Sequence, residues 1–84
     1  MASFRIKYRK SFEKEIRSIP QEYADRIASH IDSLARNPFP SGSKKLRRDD
    51  LYRIRIGDYR VVYSLDTENQ IIVIERVSHR KDVY

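Results

Sequence analysis

The sequence predicts an α+β domain, ordered strand, helix, helix and then three strands, with the two helices on one face of a largely antiparallel sheet. Three observations predict it. The start alternates Phe4, Ile6 and Tyr8 with Arg5, Lys7 and Arg9, a period of two that makes a half-buried strand. The middle carries apolar stripes at helical spacing. The second half alternates again in two runs separated only by Gly57-Asp58, the pattern of a two-residue hairpin.

Each element has its own warrant. Phe12, Ile16 and Ile19 fall at i, i+4 and i+7, one stripe of a short helix for which Ser11 is the expected N-cap. Pro20 ends that helix and can open the next. Tyr23, Ile27, Ile31 and Leu34 line the second helix, with Ala24, Ala28 and Ala35 beside them. Such small residues let a helix lie close on a sheet, and Asn37-Pro38 stops this one. Residues 37–50 read as the one long irregular segment. Strands are then expected over Leu51–Ile56, Tyr59–Leu65 and Ile71 to about Val77. One domain spanning residues 1–84 is expected, with neither an internal repeat nor a low-complexity tract.

Composition bounds what such a domain can do. Ile, Leu, Val and Phe fill 22 of 84 positions, enough for a core in a chain that buries about 60–65% of its unfolded surface. There is no cysteine, and His30 and His79 are too few for a histidine-only metal site, so no metal or cofactor is expected. The first residues are charged at every second position, unlike a signal peptide, and no apolar run is long enough to span a membrane. A cytoplasmic protein without a membrane partner is expected. Eighteen basic against twelve acidic side chains leave +6, with arginine outnumbering lysine twelve to six. Residues 44–60 alone carry +4. That excess points to an acidic partner, a phosphate backbone or an acidic protein.

Hairpin register places part of this charge. With Gly57-Asp58 as the loop, Ile56 faces Tyr59, Arg55 faces Arg60, Ile54 faces Val61, Arg53 faces Val62 and Tyr52 faces Tyr63. Tyr52, Ile54, Ile56, Tyr59, Val61 and Tyr63 then share the core face, and Arg53, Arg55 and Arg60 share the other. Like charges directly opposite are mildly destabilising. The acids at hand do not balance them: Asp58 is in the turn, Asp66 lies at the strand's far end, and Glu75 is one carboxylate against three bases. A bound anion explains the cluster better than solvation does. Arginine also suits bidentate contact with phosphate.

Leu46, Tyr52-Arg53-Ile54-Arg55-Ile56-Gly57-Asp58-Tyr59-Arg60-Val61-Val62-Tyr63, Val77-Ser78-His79-Arg80 and Val83-Tyr84 resemble the RelE/ParE toxin superfamily over nearly the whole chain. The resemblance implies a type II toxin of a bacterium or archaeon, silenced by a proteic antitoxin with which it represses operator DNA. In the RelE branch it implies ribosome-dependent endonucleolytic cleavage of mRNA in the A site. In the ParE branch it implies poisoning of DNA gyrase through protein contact. The RelE branch's site residues land on Arg53, Arg55, Arg60, Arg80 and Tyr84, all of them filled. Arg60 and Arg80 would clamp the phosphate, Arg53 and Arg55 would orient the backbone, and Tyr84 would stack on a base or help activate the 2′-hydroxyl. Arg53 and Arg55 stand where the branch often has lysine, and arginine does not give up its proton. Histidine is the side-chain type suited to proton transfer near neutral pH, which makes His79 the candidate. Lys44, Lys45, Arg47 and Arg48 would contact ribosomal RNA phosphates.

Overall fold

The structure, a computed structural model, describes residues 3–46 and 50–79. Its elements run β1 (Arg5–Tyr8), α1 (Lys10–Ile16), α2 (Gln21–Leu34), β2 (Lys44–Lys45), β3 (Leu51–Ile56), β4 (Tyr59–Asp66) and β5 (Ile71–His79). The five strands form one sheet in the order β1-β5-β4-β3-β2. All neighbours are antiparallel except β1, which lies parallel to β5. The α+β expectation holds, with one strand more than expected. Lys44–Lys45 sit in what reads as loop but pair with Tyr52 and Arg53 as a short edge strand. Two lysines on an edge discourage further strand addition.

The hairpin follows the expected register at every position from Tyr52↔Tyr63 to Ile56↔Tyr59. Gly57 has φ 61°. A positive φ at the first loop position alone is the type II′ arrangement, which suits the strand twist and which a side chain would strain.

The core lies between the helices and one sheet face: Phe12 of α1, Ile27, Ile31 and Leu34 of α2, and Ile54, Ile56, Val61, Tyr63, Leu65, Ile72, Ile74 and Val77 of the sheet. Tyr63 has no exposed surface, and its hydroxyl donates to the Pro38 carbonyl at 2.7 Å, tying the segment after α2 to the core. Burial, foremost, pushes the Tyr63 hydroxyl from an ordinary 10.0 up to about 12, with a smaller contribution from Tyr52. The folded state therefore keeps this proton after the unfolded chain has lost it. Stability supplied by Tyr63 is complete below pH 10 and is lost as pH rises towards 12. Tyr63→Phe is expected to cost about 1 kcal/mol at neutral pH and to flatten the alkaline loss, as measured by urea unfolding at pH 7, 10 and 11. An unchanged alkaline slope would show that other groups set it.

The Ser11 expectation needs correction. Arg9 occupies the N-cap of α1 without a side-chain capping bond, and Ser11 lies inside the helix. Its hydroxyl donates to the Glu75 carbonyl at 3.0 Å, and Glu15 accepts from the Val77 N–H at 2.9 Å. Where β1 ends, these side chains of α1 bond to the outer edge of β5. An edge with its polar groups taken in this way is a poor template for another chain.

Candidate functional site

Side-chain alternation gives the sheet two unlike faces. Away from the helices, β3 presents Arg53 and Arg55, and β4 presents Arg60 and Val62, as the register requires. Lys44 joins them because it pairs with Arg53, whereas Lys45 pairs with Tyr52 and takes the opposite side. Arg47, Arg48, Arg80 and Tyr84 lie outside the described residues.

The electrostatics register the crowding. Partial burial first, and then the Arg55 and Arg60 guanidiniums, hold Arg53 below the ordinary arginine range. The Nε of Arg60 is buried and has no hydrogen-bond partner among the described residues. Such a donor ordinarily costs about 1–3 kcal/mol and calls for an explanation, and an anionic oxygen would satisfy it. A pocket of about 160 Å³ opens here, lined by Arg55, Gly57, Asp58, Tyr59 and Arg60. Two acids near this face, Glu75 and Asp66, have partners other than these arginines. Glu75 pairs with Arg9 and accepts from Ser64, and Asp66 is held by Asn69 across the following turn.

His79 does not join the arginines. It pairs with Tyr59 and meets that ring edge-on at 5.1 Å, while Tyr59 in turn packs on Tyr23 of α2 at 5.5 Å. That is the helix side of the sheet. The cause is a β-bulge. Tyr63 pairs with Ile74 but Val62 pairs with Arg76, which leaves Glu75 as an extra residue. Plain alternation from Ile72 and Ile74 would send His79 to the arginine face and Arg76 inward. The inserted residue reverses both, and so Arg76 is the basic residue of this face that sequence reasoning missed. A signal exists, since the buried positions shift from even-numbered Ile72 and Ile74 to odd-numbered Val77. Apolar Ile71 and Val73 between them hide it.

The family model described as the ParE toxin of type II toxin–antitoxin systems matches residues 6–84. The chain belongs to this toxin family. The solved archaeal RelE–RelB complex from Pyrococcus horikoshii contains a chain 33% identical to this toxin, with a TM-score of 0.87 over 96% of this chain and 99% of that one. Toxin RelG of Mycobacterium tuberculosis is 29% identical over 84 residues, 96% of this toxin and 95% of RelG. The isolated RelE toxin of E. coli, 20% identical, shares the fold with a TM-score of 0.79 over 93% of this chain and 84% of its own. The toxin is thus a RelE-type member of a type II toxin–antitoxin family.

Proposed function

We propose that this toxin is a ribosome-dependent endoribonuclease that cleaves mRNA in the A site by attack of a 2′-hydroxyl on the adjacent phosphate, and so inhibits translation. The observation that carries this reading is the convergence of Arg53, Arg55 and Arg60 on the sheet face away from the helices, with the buried Arg60 Nε lacking a partner among the described residues. In the reaction the 2′-oxygen bonds to phosphorus and the bond to the 5′-oxygen breaks, leaving a 2′,3′-cyclic phosphate and a 5′-hydroxyl. Charge develops on the phosphorane oxygens, which is where fixed guanidiniums lower a barrier most.

Arg60 and Arg80 clamp that phosphate, Arg53 and Arg55 orient the strand, and Tyr84 stacks on a base or helps to activate the hydroxyl. Arginines stay charged at neutral pH and so supply no base. Because His79 faces the helices, this reading assigns it no proton transfer. His79→Gln is accordingly expected to keep cleavage within about threefold of the parent with an unchanged pH profile. A hundredfold loss, the lower reach of general acid–base catalysis, would return the proton to His79. Lys44, Lys45, Arg47 and Arg48 hold ribosomal RNA phosphates, positioning without reading sequence.

The test is cleavage of mRNA mapped on translating ribosomes, with Arg60→Gln and Arg80→Ala beside the parent. Full activity in both variants would overturn the site assignment. The family description, a ParE toxin, favours a second reading in which the protein poisons DNA gyrase by protein contact. Inhibition of supercoiling by the purified toxin, with translation untouched, would select it.

An acidic antitoxin completes the proposal. The related archaeal toxin was solved bound to RelB, and +6 on a small domain suits such a partner. Covering the arginine face would neutralise charge and exclude substrate together, and the complex would bind operator DNA. Co-expression of the neighbouring gene product should restore growth; failure of every neighbour to do so would count against a cognate antitoxin.

A further inference from the structure

We propose that Arg76 is a fourth guanidinium of the RNA-binding face, holding a backbone phosphate beside the one at Arg60, and that the bulge at Glu75 aims it there. The inference rests on RNA being the ligand of this face. It does not depend on cleavage.

The register supplies the geometry. Arg60 stands directly opposite Arg55 on β3 and Ser78 on β5. Arg53 and Arg76 each pair with Val62, two residues along β4, so both are diagonal neighbours of Arg60 at roughly 7–8 Å, within reach of long side chains. Arg60 is therefore the centre of the group, with one arginine opposite and one on each diagonal. Lys44, Arg53 and Arg76 extend the charge as one row from β2 across to β5.

Burial supports the same placement. Val62 is only 8% exposed although it lies on the face that no helix covers, and it stands apart from the core cluster. The residues in register on either side of it are Arg53 and Arg76, and long side chains at those positions can lay their aliphatic stems over a valine while keeping their heads in water. Val77, next to Arg76, is 3% exposed and inside the core, which fixes the phase after the bulge. The bulge itself is held: Glu75 is bonded through its carboxylate to Arg9 and Ser64 and through its carbonyl to Ser11. The acid beside Arg76 is thus already engaged, by Arg9 and Ser64. A sheet face needing only cover for Val62 would do as well with an uncharged stem. Adding a fourth like charge there makes sense where a polyanion lies.

Arg76→Gln separates the two roles because it keeps most of the stem and removes the charge. The probe is a fluorescently labelled single-stranded RNA of about fifteen nucleotides, titrated with the free toxin across a series of KCl concentrations. Arg60→Gln serves as the positive control. Arg26→Gln on α2, across the sheet, is the charge-matched comparison. Each phosphate contact contributes about 0.7 to the salt slope for a single strand. Arg76→Gln is expected to melt with the parent, to bind roughly tenfold more weakly at low salt and to lose about 0.7 from the slope. Arg26→Gln should bind like the parent. An Arg76→Gln slope equal to the parent's would overturn the proposal and leave Arg76 as cover for Val62, as would a parent that binds no RNA. RNA binding that depends on Arg76 without ribosomal cleavage would sink the nuclease reading and keep this one. Cleavage with an unchanged Arg76→Gln slope would do the reverse.

Discussion

Arg60→Gln is expected to lower ribosomal mRNA cleavage by about 10²–10³-fold, the cost of removing one fixed donor from a developing oxyanion. Its stability should at the same time stay level or rise. Arg60 faces Arg55 across the hairpin, and after burial, the larger cause, both guanidiniums add to the lowering at Arg53. Removing the central charge relieves a repulsion that, for one directly opposed pair, is worth about 0.2–1 kcal/mol. It also removes a buried Nε that has no partner among the described residues, and glutamine keeps part of the aliphatic stem. Activity falling while the melting temperature holds or climbs is the signature of a site whose arrangement serves a ligand rather than the fold. The gain should shrink as salt screens the charges. Joint loss of activity and several kcal/mol of stability would instead make Arg60 a structural residue, and the anion argument would fail with it.

Ile31→Ala should produce the largest loss of stability, about 2–5 kcal/mol, the range for truncating a buried isoleucine. Ile31 is 1% exposed at the middle of the α2 stripe, between Ile27 and Leu34, and it packs on the sheet core. Alanine would leave a cavity that neighbours on a helix and a sheet cannot readily collapse to fill. A chain of 84 residues holds only about 4–13 kcal/mol in total, so the variant approaches the threshold of folding. At about 4–8 °C per kcal/mol, the melting temperature of the free toxin should fall by about 10 °C or more. Ile31→Val should cost about 0.5–1.5 kcal/mol and keep the fold. Equal effects from the two substitutions would mean that α2 is not anchored through this side chain.

What could be read from the chain follows from how far apart the interacting residues lie. The Gly57-Asp58 loop, the strand limits at Leu51, Ile56 and Tyr59, and the three-arginine face were legible because a two-residue turn sets the register of everything beside it. The α2 stripe was legible because residues three and four apart must share a face. The short strand at Lys44–Lys45 was not. Lysine and serine around it carry no strand signal, and it exists only because β3 offers an unpaired edge. Ser11 was read as a cap from local preference, but a bond to Glu75, 64 residues away, places it inside the helix.

The arginine surplus shows where the two sources of information part. By itself the sequence determined that Arg53, Arg55 and Arg60 converge, since alternation about a tight turn allows no other arrangement. The tertiary structure alone decided that β1 runs parallel beside β5, that Glu75 bulges, and hence that Arg76 joins the basic face and His79 leaves it. The reason is that a bulge is not a property of the strand that contains it. It is a mismatch between two strands, here held by Arg9 and Ser11 at the start of α1 and by Ser64 of β4, and one residue of slip moves every later side chain to the other face.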